Sequence, residues 1–295
     1  MNKTILKVLM YLLLILPLPS IGGNIYGSTH NRNWVVNEEL INDFTSKYTH
    51  VENIDDFQAY GHYEVKNIIK KVESGDHRHP YTIKGGAWQI LKSAREQIHK
   101  LGYRFSYTLK DTATQSFSRA EQSRMYDIYS KYVNRVAKRR IGHFGGLMYK
   151  YGAWQLGGVG FFKVYTYEYV NQNIILWDNT HKVGEASTDV FSTLTNNMSG
   201  KLKYKVERYL GEMYLKMCIE AGQTANAIWW KRLHSNRTMT IREFMQSINR
   251  FADNGYLDRE RANEFLHEGL HPVVSAWFRF TNRKLHQRAR ELGYE

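Results

Sequence analysis

The chain is short of the residues that staple or break a fold. Of its 295 residues one is cysteine and four are proline. A lone thiol, Cys218, cannot close an intrachain disulfide, so stability must come from a buried core. It sits in "YLKMCIEAG", a helical apolar pattern, which predicts a buried thiol. Acids are also scarce beside bases, with 28 Asp and Glu against 41 Lys and Arg and a net charge of +13. Such a balance suits anionic partners. Yet the basic residues are scattered. Their one dense cluster is "AKRR" at 137–140, and no nucleic-acid motif accompanies it, so no nucleic-acid partner is expected. No Gly-rich phosphate loop, Cys/His cluster or serine nucleophile motif is present, and no cofactor is expected. Past the N-terminus no apolar run is long enough to span a membrane. The nearest, 141–163, is interrupted by Lys150.

What is there is apolar and aromatic, at 42% and 14% of the residues. This composition supports a core and excludes a disordered chain. The N-terminus, "MNKTILKVLMYLLLILPLPSIGGN", has a basic start at Lys3 and Lys7. An apolar run over Val8 to Pro19 follows, with small residues at Ser20 and Gly22. This is the form of a secretory signal peptide over 1–22, and it predicts a secreted or periplasmic protein. The rest reads as mainly α. Helices are expected over Trp34–Tyr48, Asp56–Ser74, Gln89–Leu101 and Ser118 to about Lys138. Ser118 and Glu121 form a capping box, as do Thr240 and Glu243. The glycines of 142–160 predict loop or close backbone packing, and 161–170 fits strand or helix. "YRFSYTL" at 103–109 reads as a short strand or extended loop. From Val190 to Leu233 the pattern is helical, interrupted at Gly200. "ADNGY" at 252–256 is a turn. A boundary near 180 divides the expected domains, 23–180 and 181–295.

Two stretches echo each other, "KGGAWQI" at 84–90 and "KYGAWQL" at 150–156. His77 and His143 precede them at the same offset. Helix is expected after the first copy and glycines after the second, so no domain duplication is read.

The chemistry-bearing feature is Glu73. It follows Ile69 by four residues and Val65 by eight, so it shares the face of the stripe Val65, Ile68, Ile69, Val72. Gly75 can cap the helix there. Desolvation at that position raises a carboxyl pKa, as a general acid near neutral pH requires. The loop beyond offers Gly86 for close backbone approach, Trp88 as a stacking surface and Gln89 as an amide for sugar hydroxyls.

Glu73-Ser74-Gly75, a loop of about fourteen residues, then Gly86-Ala87-Trp88-Gln89-Ile90 resembles the lysozyme-like fold of lytic transglycosylases. "YTLKDTATQSFSRAEQSRMYDIYSKYV", "RRIGHFGG" and "TYEYV" are similar to its later segments. The resemblance spans roughly residues 55 to 172. It implies a lysozyme-like helical domain followed by a long-helical extension, and an enzyme cleaving peptidoglycan glycan strands. Glu73 would be the single acid/base and Ser74 its support. Gln89 would line the sugar cleft, and Tyr169 would face Glu73 across it. Ala87-Trp88 and Phe144 depart from the family's Gly-Leu-Met-Gln and Asn-Gly-Gly patterns. Hydrolysis in place of transglycosylation would call for a second carboxylate such as Asp76 or Asp111.

Three other readings compete. His267, Glu268 and His271 satisfy H-E-x-x-H, the zinc-peptidase motif, with Glu291 as a distant third ligand. Pro272 is expected to break that helix at the second histidine. His77 and His79 form a weaker metal pair. The basic helical region 185–295 could instead serve a non-catalytic envelope protein, within a secretion, conjugation or phage-related assembly. Stretch 141–163 would be the apolar hairpin of a membrane-active protein.

Overall fold

The computed structural model describes residues 35–49, 60–169, 177–178, 181–182 and 190–295. The predicted signal segment and the boundary expected near 180 lie outside the described residues. Val36–Glu295 is one compact unit, and it is mainly helical.

Helix α1, Glu38–Tyr48, starts later than Trp34. Asn37 stops it by capping: its side chain accepts from the Leu40 N–H at 3.0 Å. Helix α2, His62–Ser74, buries Val65, Ile68, Ile69 and Val72 as the stripe predicts, and ends at Gly75 with φ +59°. Each fully buried side chain of this kind stabilises the fold by about 1.5–3 kcal/mol. Helix α3 is Lys92–Lys100, shorter than the expected Gln89–Leu101. Gly85, Gly86 and Gln89 all have positive φ, and the Ile90 N–H turns back to the Gly85 carbonyl at 2.7 Å. The chain is therefore a tight turn until Leu91. Segment 103–109 is irregular, with no strand.

Helix α4, Arg119–Ile141, carries the predicted box: Glu121 N–H donates to Ser118 Oγ at 3.2 Å and Ser118 N–H to Glu121 Oε2 at 3.0 Å. Glu121 also accepts from the Ser106 N–H at 2.8 Å. Hydrogen bonds from Ser106, then Ser118, hold its pKa down to about 2. Of the loop or close backbone packing expected over 142–160, helix α5, Leu147–Tyr169, takes the second form, and it settles 161–169 as helix. Its glycines serve close packing. A Cβ on Gly152 would meet the Phe161 ring at 2.3 Å, and one on Gly158 the Val133 carbonyl at 2.5 Å. Only Gly157 leaves the helical region, at φ +71°, and it kinks the element. The stretch read as a membrane hairpin is thus core, with Tyr149, Tyr151, Trp154 and Phe161 buried. Among the described residues no helix is long and apolar enough to cross a membrane.

Trp177–Asp178 pairs antiparallel with His181–Lys182. A 3-10 turn, Leu194–Asn197, precedes α6, Gly200–Glu220, whose cap is Ser199. Gly222, at φ +67°, then separates α7, Thr224–Leu233, a break the sequence pattern does not show. Helix α8, Ile241–Asp253, opens on the Thr240–Glu243 box, and a turn at 252–256 leads to α9.

Helix α9, Arg259–Glu291, packs against α1, α2, α5, α6 and α8. It corrects the expected break at Pro272, because it continues unbroken through it. Proline withholds the N–H that the Glu268 carbonyl would accept. The buried Tyr209 hydroxyl of α6 donates to that carbonyl instead. A tertiary hydrogen bond thus satisfies the group that proline orphans.

Candidate active site around Glu73

Glu73 lies in the last turn of α2, on the core-facing side. Two residues of α5 meet it. Tyr151 and Gln155 are four apart and so share one helix face. Gln155 Nε2 stands 3.4 Å from Glu73 Oε1 and donates to Tyr151 Oη at 2.6 Å. The Tyr151 hydroxyl in turn donates to the Glu73 carboxylate. Lys284, from α9, adds a positive charge nearby.

The residue is half-buried, and its carboxyl is surrounded by protein. Desolvation pushes its pKa up to about 7, against the opposing pull of Tyr151, Gln155 and Lys284. Tyr151 is pushed well above its ordinary value by desolvation and by the charge of Glu73. Desolvation lowers Lys284, with Glu73 opposing and Arg288 assisting. Gln155 Oε1 is buried without a partner, an acceptor held beside the acid. A carboxyl balanced between its two forms near neutral pH can both give and take a proton.

The other expected site residues are placed differently. Ser74 Oγ donates to the Lys70 carbonyl at 2.7 Å, a bond within α2. With Gly75 and Asp76 it lines an open pocket of about 330 Å³ on the outer side of α2, which Glu73 does not line. Gly86 packs on Gln122: a Cβ there would lie 2.3 Å from Gln122 Oε1. Trp88 is only 2% exposed, so its ring is core and not an open stacking surface. Its indole N–H donates to the Lys66 carbonyl at 3.0 Å, and its ring lies 5.4 Å from that of Tyr126. Gln89 spends its amide on its own turn, donating to the Gly86 carbonyl at 3.1 Å. The Tyr169 side chain lies outside the described residues. Asp76 is exposed and held below its ordinary pKa, first by its hydrogen bond from Lys71 and then by the charge of Arg288. Asp111 is exposed.

The glutamine that reaches Glu73 therefore belongs to the second echo, Gly152-Ala153-Trp154-Gln155. Tyr151, Gln155 and Lys284 were not singled out from sequence. The repeat itself was the available signal for Gln155. Nothing local marks Lys284.

His267 and His271 face the same way on α9, with ring centroids 5.2 Å apart and Tyr167 against both. Glu268 is held by Arg261 at 3.2 Å and Lys216 at 3.6 Å. Glu291 lies twenty residues further along the same helix, about 30 Å away at 1.5 Å per residue. Its carboxylate is engaged by Arg288 and Gln287. Among the described residues no group of three His, Cys, Asp or Glu side chains is placed to hold a metal ion. His77 and His79 are both exposed on the loop after α2.

No protein-family model, curated protein or solved structure matches this chain.

Proposed function

We propose that the chain is an exported peptidoglycan-cleaving muramidase with Glu73 as its single acid and base. The observation that carries this reading is the carboxyl at the end of α2, pushed to a pKa of about 7 and hydrogen-bonded by Tyr151 and Gln155. The Glu-Ser-Gly helix end, the signal-like N-terminus and the basic charge lend support. Protonated Glu73 gives its proton to the glycosidic oxygen as the C1–O bond breaks. The resulting carboxylate then takes the proton of the C6 hydroxyl as that oxygen bonds to C1, leaving an anhydro sugar.

Digestion of purified sacculi, with mass spectrometry of the products, tests the reading. Wild type is expected to release anhydro-muropeptides. Glu73→Gln is expected to lose activity by about a hundredfold to ten-thousandfold, the range of general acid–base catalysis. Equal activity in the two proteins would remove Glu73 as the acid.

A further inference from the structure

His143 stands in the turn between α4 and α5, exposed to solvent. Tyr149 and Tyr165, both on α5, are buried. Along an unbroken helix, residues this far apart in sequence would be separated by about 24 Å. The kink at Gly157 instead bends α5 back on itself and sets the Phe161 ring on Gly152. The two tyrosine hydroxyls thereby come within 3.4 Å of each other. Each also stands 2.9 Å from His143 Nε2. Packed rings hold the phenols in place. Phe144 lies 5.6 Å and Phe161 5.9 Å from the Tyr149 ring, and Phe161 lies 6.1 Å from that of Tyr165.

We propose that His143, Tyr149 and Tyr165 form a binding site for ferric iron. A ring nitrogen carries either one proton or one lone pair. One hydrogen bond therefore accounts for only one of the two contacts that His143 Nε2 makes. The triangle of three donor atoms, with edges of 2.9, 2.9 and 3.4 Å, suits a shared ion better. Donors about 2.0–2.1 Å from one ion stand about 2.9 Å apart at right angles and about 3.3 Å apart at tetrahedral angles. The donor types select the ion. There is no sulfur to favour a soft metal, and imidazole suits iron, zinc and copper. Two phenolate oxygens are hard anionic donors, which favour a trivalent ion and cancel two of its three charges. Tyrosine also ligates iron in haem proteins. On binding, each phenol releases its proton to water as its oxygen bonds to the ion. The exposed side of His143 leaves room for water in the remaining positions. This site does not depend on the role of Glu73.

The test is titration of the full chain with ferric nitrilotriacetate, followed by desalting, iron assay and visible absorption. Wild type is expected to retain equimolar iron and to gain a phenolate-to-iron charge-transfer band in the visible. Its melting temperature should rise with iron, since the ion binds only the folded state. Tyr149→Phe combined with Tyr165→Phe keeps both rings in the core, so it should fold, yet lose the band and the rise in melting temperature. His143→Ala, at an exposed position, should weaken iron binding by about a hundredfold. Absence of the band in wild type would overturn the proposal. Iron retained equally by wild type and the double variant would be adventitious surface iron and would overturn it too. Zinc or copper retained in place of iron, and lost in the same variants, would overturn ferric iron as the ion.

Discussion

The stretches Lys84–Ile90 and Lys150–Leu156 share Gly-Ala-Trp-Gln but have opposite fates. In the first the glutamine closes a turn at φ +52°. In the second it stands on α5 and points its amide at Glu73. Both tryptophans are buried and both approach Tyr126, at 5.4 Å and 4.8 Å. The shared tetrapeptide thus places two indoles in one aromatic cluster, while only one amide reaches the acid. The flanks decide this. Gly85 and Gly86, both at positive φ, turn the first copy. The second lies within α5, ahead of the kink at Gly157, and has α4 to pack against. A four-residue match specifies side-chain chemistry and leaves the backbone to its neighbours.

This contrast can be broken in several ways. Beyond loss of cleavage in Glu73→Gln, the largest effect is expected from Gln122→Ala, which unpins the first copy. Gln122 accepts from the Ala87 N–H at 3.2 Å and donates to the carbonyls of Tyr81 and Phe117 at 3.0 and 2.9 Å. Its loss should cost about 2–3 kcal/mol in denaturant unfolding, because those buried groups lose their partner.

Next is the pH dependence of stability. The folded pKa of Glu73, about 7, lies above its ordinary value of 4.5. Between those values the folded state keeps a proton that the unfolded state has released. Stability from this group therefore falls as pH rises through that window. With the residue half-buried, the cost at pH 8 is roughly 1–3 kcal/mol. Glu73→Gln should be stabilised relative to wild type at pH 8 compared with pH 4. An identical difference at both pH values would place Glu73 in water.

The two glutamines should then separate. Gln155→Ala removes a donor to the carboxylate, so the Glu73 titration followed by carbon NMR should move further above about 7, and cleavage should drop. Gln89→Ala should leave both unchanged. Should Gln89→Ala move the titration and Gln155→Ala not, the assignment of the second copy is wrong. The smallest effect is expected from Gln89→Gly. Relief of the left-handed backbone should offset the lost amide bond, leaving stability within about 1 kcal/mol of wild type by thermal melting.

The sequence by itself determined whatever depends on residues three or four apart. The caps at Ser118 and Thr240, the end of α2 at Gly75, the buried stripe of α2 and the inward phase of Glu73 all follow from helical geometry. The mainly helical character follows from the same periodicity. Only the tertiary structure decided what Glu73 faces. Tyr151, Gln155 and Lys284 come from elements distant in the chain, and no local pattern encodes their meeting. It likewise turned Trp88 into the core and carried α9 through Pro272, since a buried Tyr209 hydroxyl can supply the donor that proline lacks. Local rules fix the state of each segment. The pairing of distant side chains depends on how whole faces pack, and Glu73 acquires its environment there.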